Sequence, residues 1–231
     1  MQFIENNVFG VRAALYSLVR PDGAPRFLLF PMIHIGSAEY YLQVHEKLDE
    51  CDVILFEGVR TFRARVLALS YRIVARRGRL GLVAQDASLL RGLRGRLVHA
   101  DVAPGEFNDN WSRVPWHIRL AILLIAPVFG AYHYLTATKE SIGKKMKRED
   151  LASAEEITRG DFAPELDAAI VTRRDAKLVA AIDSMLASTN ASNTVGIVYG
   201  AGHMQAVTAA LMENHHYRID SSEWLTVFAY A

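Results

Sequence analysis

A chain of 231 residues, half of them apolar, is long enough to bury one substantial core, and its single cysteine, Cys51, excludes an internal disulfide. Lys plus Arg is 26 against 25 for Asp plus Glu, which excludes a chain-wide attraction to polyanions. The opening residues Met-Gln-Phe-Ile-Glu-Asn-Asn lack the basic start and apolar middle of a secretory signal, so a cytoplasmic location is expected.

From Val8 to Val19 the apolar pattern alternates, Pro21-Asp-Gly-Ala-Pro25 is a turn, and the pattern resumes at Phe27, which predicts an opening hairpin. Arg26-Phe-Leu-Leu-Phe-Pro-Met-Ile-His34 closes on Pro31-x-x-His34. Ser37 can then cap a helix from Ala38 to Leu48 with Tyr41, Val44 and Leu48 on one face. Asp52-Val-Ile-Leu-Phe-Glu57-Gly58 is a fully apolar strand that stops on an acid and a glycine. An Arg-rich amphipathic helix is predicted from Thr61 to about Arg77, and a short strand from Leu80 to Ala84. Between Arg60 and Arg96 ten arginines face one acid, Asp86, a local charge of +9. It reads as a solvated helix face and loop; a phosphate, RNA or anionic-lipid surface, or a dock for acidic segments of this chain, are the alternatives. No zinc-knuckle or aromatic-stacking motif accompanies it, so no nucleic-acid partner is expected.

His99-Ala-Asp101 precedes Val102-Ala-Pro104 and either caps the next segment or adds a polar group to a site. Leu120 to Thr138 carries no Lys, Arg, Asp or Glu, which is long enough for a membrane span. Pro127, Gly130 and His133 interrupt it, and a single crossing would part residues that a composite site needs together. It is therefore expected as a buried or interfacial helix, with a dimer or peripheral membrane contact as the other readings. An acidic helical stretch from Glu149 to Ile157 and a helix beginning at Phe162-Ala-Pro164 follow. Ile170-Val-Thr-Arg-Arg174-Asp175 then leads into Leu178, Ile182, Met185 and Leu186 at helical spacing. Thr194-Val-Gly-Ile-Val-Tyr-Gly-Ala-Gly-His203 reads as strand, tight turn and helix start. Gly200 and Gly202 can take positive φ or let the backbone pass close to a ligand. Tyr217 to Ile219 and Trp224 to Tyr230 are the last strands.

The expected fold is α/β: one domain over residues 1–231, with a mixed, largely parallel central sheet flanked by helices and a helical excursion around residues 105–160. Three apolar runs each deliver one polar side chain, so His34, Glu57 and His203 are expected at one end of one sheet, where open α/β sheets bind ligands. Two imidazoles and a carboxylate suit a divalent metal of the Mn, Co or Zn class, with Asp101 as an extra ligand or a partner of the ligands. The sequence has no Gly-x-Ser-x-Gly, no phosphate-binding loop and no dinucleotide glycine fingerprint.

These residues resemble the TraB/PrgY/GumN group, related to Tiki peptidases and more distantly to erythromycin esterase-like and ChaN-like proteins. Gly200-Ala-Gly-His203 is similar to its second Gly-x-x-His motif, Glu57-Gly58 to its acidic mark, and Thr172-Arg-Arg174-Asp175 to its arginine mark. The first motif departs, with Pro31 where the group has glycine. The resemblance implies a metal-dependent, peptidase-like hydrolase acting on a peptide or a small amide or ester. His34 and His203 would bind metal, Glu57 would bind it or activate water, and Arg174 would stabilise an oxyanion or hold a substrate carboxylate. Two other classes stand beside it: a non-catalytic regulatory or ligand-binding protein, with a tetrapyrrole among the candidate ligands, and a metal-free esterase in which a histidine is the general base.

Overall fold

The computed structural model of the chain describes residues 1–58, 78–103, 115–146, 171–188 and 193–230, with a few single positions between them. Residues 59–72, 74, 76 and 77, and with them most of the helix expected from Thr61 to Arg77, lie outside the described residues. So do the segments expected to be helical after Glu149 and Phe162.

The described residues form a mixed α/β fold around one seven-stranded sheet. Strand β1 (Ile4–Asn7) and β2 (Gly10–Val19) form a hairpin, and β2 turns through the Pro21 region into β3 (Arg26–Met32). β1 and β3 share one side of β2, and β9 (Arg218–Ala229) runs antiparallel along its other side. The two terminal strands expected from the sequence are thus one strand of 12 residues, with register shifts opposite Val11/Arg12 and Ser17/Leu18. Beyond β3 the sheet is parallel: β3, β8 (Thr194–Gly200), β5 (Val53–Phe56) and β7 (Arg96–His99) lie side by side in that order. The short pair β4 (Ile35–Gly36) and β6 (Val83–Ala84) stands apart from this sheet.

The parallel strands are apolar on both faces because helices flank the sheet. Helix α1 (Ala38–Leu48) starts at Ser37, whose hydroxyl accepts from the Tyr40 N–H at 3.1 Å, and buries Tyr40, Val44 and Leu48. Tyr40, not Tyr41, is on the inner stripe, four and eight residues before its partners; Tyr41 instead donates its hydroxyl to the Ile33 carbonyl at 2.7 Å. Gly196 in β8 has a packing reason, since a Cβ there would lie 2.9 Å from Cys51 Sγ and 3.3 Å from Leu48 Cδ2. The excursion after β7 contains α2 (Trp116–Thr136) and α3 (Lys139–Lys145), and α4 (Arg173–Ser188) returns the chain to β8. Among the described residues no helix is long and apolar enough to cross a membrane.

Four parallel strands in sequence-scrambled order therefore present their carboxyl ends side by side. Each end is followed within three residues by an ionisable side chain: His34 after β3, His203 after β8, Glu57 after β5 and Asp101 after β7.

Candidate active site

Arg174 is placed by the packing of its own helix. It heads the buried stripe of α4, followed at helical spacing by Leu178, Ile182 and Met185, so docking that stripe carries the guanidinium inward. A buried cation needs partners. Arg174 Nε donates to Asp101 Oδ1 and Nη2 to Asp101 Oδ2, both at 2.9 Å, and Nη2 also donates to Glu57 Oε1. Its guanidinium lies 5.6 Å from the centre of the Tyr199 ring.

Asp101 is saturated. Besides the two bonds from Arg174, its Oδ1 accepts from the Val102 N–H at 2.7 Å and its Oδ2 from the Gly58 N–H at 3.1 Å. The four lone-pair positions of a carboxylate are thereby used, and its side chain is 0 % exposed. Asp101 holds Arg174 in place and also joins the end of β7 to the loop after β5.

Glu57 has its other oxygen, Oε2, on the Gly200 N–H at 2.6 Å. Burial works against the charged carboxylate. Arg174, then His203, His34 and the Gly200 N–H, outweigh it and hold the pKa well below the ordinary carboxylate range. Gly200 has φ −51°, so the glycine is not needed for a left-handed backbone. Its use is proximity: a Cβ there would stand 3.3 Å from Glu57 Oε2 and 3.6 Å from His203 Cδ2, between the two side chains.

His203 ends a single tight turn, Ala201–His203, between β8 and helix α5 (Met204–Ala209). Its Nδ1 is 2.6 Å from Asp175 Oδ1, and since an ionised carboxylate only accepts, Nδ1 carries the hydrogen. The ring packs edge-on against Tyr199 at 4.9 Å. Among the described residues Nε2 has no hydrogen-bond partner. Burial lowers the pKa, but the Asp175 bond and the Glu57 charge prevail and raise it above the ordinary histidine value.

Of the residues expected from the sequence, Glu57, Asp101, Arg174 and His203 thus form one cluster. His34 is near enough to influence Glu57, and Gln85 touches it twice: Gln85 Oε1 is 3.3 Å from His34 Nδ1, and the Gln85 N–H donates to the His34 carbonyl at 2.9 Å. Asp175 was not expected in the site. Its signal was adjacency to Arg174, but the helix phase that turns it toward His203 depends on how α4 docks.

His34, Glu57 and His203 have the donor chemistry of a metal site, and Glu57 would have to exchange a present contact to join an ion there. Asp101 has no lone pair left, Glu57 is engaged through both oxygens, and among the described residues no three His, Cys, Asp or Glu side chains are arranged to hold an ion. What the cluster offers directly is an oriented imidazole with Nε2 as acceptor beside a rigid charged wall. No family model, curated protein or solved structure matches the chain.

Proposed function

We propose that the chain is a hydrolase of a peptide or a small amide or ester, in which His203 is the general base. The observation that supports this reading best is the 2.6 Å contact between Asp175 and His203 Nδ1, at the carboxyl ends of the parallel strands. Asp175 selects the tautomer with the lone pair on Nε2 and stabilises the imidazolium that forms. His203 Nε2 takes a proton from water, the water oxygen bonds to the substrate carbonyl carbon, and the proton passes to the leaving nitrogen or oxygen as the acyl bond breaks. Arg174 offsets one of the two carboxylate charges of Glu57 and Asp101, and the ion-paired group keeps the wall beside the imidazole fixed. Arg174 is already bonded to two carboxylates, so anchoring the wall suits it better than clamping a substrate carboxylate.

A second reading keeps the same residues and adds a divalent metal of the Mn, Co or Zn class, in line with the TraB-like resemblance. It is favoured by the positions of His34, Glu57 and His203 on three neighbouring strand ends. In this reading His34, Glu57 and His203 would hold the ion, which would supply Lewis-acid chemistry, and Glu57 would give up a present contact to bind it. Turnover of a peptide and ester panel by protein purified without chelators separates the two. General-base hydrolysis persists in EDTA and falls about 10²–10⁴-fold in His203→Ala. Activity that vanishes with EDTA and returns with Mn, Co or Zn sinks the first reading and supports the second.

A further inference from the structure

Helix α2 lies in the excursion that the proposed chemistry does not use. At about 100° per residue, Trp116 and Tyr134 share one edge of an exposed arc, Leu120, Leu124, Leu135 and Val128 follow across it, and Tyr132 and Ile125 form the other edge. The arc covers about 180° of the helix. Leu124, Val128 and Leu135, near its middle, are 61 %, 69 % and 71 % exposed, whereas Ile122, on the opposite side, is 4 % exposed. A helix packed on its own domain shows the reverse, with a stripe of about 100° turned inward.

Three observations select the occupant of this face. A protein groove accepts a narrow stripe, whereas half a cylinder is what a helix lying in a bilayer surface immerses. Aromatic side chains with a polar tip, Trp116, Tyr134 and Tyr132, fall at the edges of the arc, the depth such side chains take between hydrocarbon and water. From Arg113 to Arg148 there are seven Lys or Arg against one acid, Glu140, which complements anionic headgroups. A single crossing is excluded by connectivity, because Asp101 before the excursion and Arg174 after it are bonded at 2.9 Å.

We infer that α2 is an interfacial helix that lies in the plane of an anionic lipid surface, immersed along the arc centred on Leu124, Val128 and Leu135. This contact is independent of the hydrolase reading.

The test is sedimentation of the whole protein with vesicles of phosphatidylcholine alone and of equimolar phosphatidylcholine and phosphatidylglycerol. Binding is expected to the anionic vesicles, with a blue shift of tryptophan emission that Trp116→Phe removes. Replacing Lys139 or Lys144 by Gln weakens it about fivefold each. The double variant Leu124→Glu/Val128→Glu, on side chains that touch solvent, loses binding at least about tenfold and keeps its circular dichroism. Equal binding to both vesicle types overturns the anionic preference, and binding to neither overturns the proposal. Self-association abolished by the same glutamates, without vesicle binding, assigns the face to a second copy and overturns it too.

Discussion

At the carboxyl ends of β3, β8, β5 and β7, charged side chains are packed out of water; along α2, large apolar side chains are left in it. Both regions invert the usual partition, and they do so in opposite ways. In the strand-end cluster each buried charge is matched: Arg174 against Glu57 and Asp101, Asp101 against two backbone N–H groups, His203 against Asp175. On α2 the apolar arc has no cover among the described residues. A buried polar network is stable alone because its bonds close on themselves, whereas an exposed apolar face is completed only by a surface that the described residues do not supply.

The sharpest way to break that contrast is to open the closed network. Arg174→Ala leaves Glu57 and Asp101 as neighbouring buried carboxylates without their cation, and a loss of about 3–5 kcal/mol is expected as a lower urea midpoint at unchanged slope. Its pH dependence has a defined sign. The pKa of Glu57 is depressed, so the stability it contributes is complete above its ordinary value of 4.5 and is lost as pH falls from there toward the depressed value. In Arg174→Ala, protonation relieves the repulsion, so the gap to the wild type narrows at acid pH. A gap that does not change with pH sinks the ion-pair account.

A smaller effect is expected from Asp175→Asn, about 1.5–3 kcal/mol below neutral pH, the size of a hydrogen bond to a charged partner. The pKa of His203 is raised, so its contribution is fully present below the ordinary 6.5 and is lost as pH rises through the raised value. The variant's His203 ring signals should titrate at lower pH by NMR, and the acidic limb of the pH–rate profile of hydrolysis should move the same way. No movement would remove Asp175 as the orienting partner.

The smallest effect belongs to the exposed arc. Leu124→Ser or Val128→Ser should alter the unfolding midpoint by no more than about 0.5 kcal/mol, whereas Ile122→Ala, on the inward side, should cost about 2 kcal/mol or more. A loss of core size at Leu124 would mean that the arc is covered.

The sequence by itself determined the elements and the chemistry each could deliver. Apolar runs ending at His34, Glu57 and His203, the Ser37 cap, the opening hairpin and the stripe of Leu178, Ile182 and Met185 follow from local rules, because strand and helix periods act over a few residues. Tertiary structure decided which of those groups meet. Asp101 read equally as a cap or a site residue, until pairing of β7 with β5 set it under Arg174. Asp175 looked like a neighbour of the arginine mark, and only the docking of α4 against the end of β8 turned it to His203. The glycine at 200 could be read as conformational freedom, but its extended backbone shows that it leaves room for two side chains brought from elsewhere. The apolar composition of α2 read as a buried or an interfacial helix alike, and which of its sides is exposed depended on where the rest of the chain lies. Local pattern specifies a residue's own face, and long-range packing specifies what that face meets.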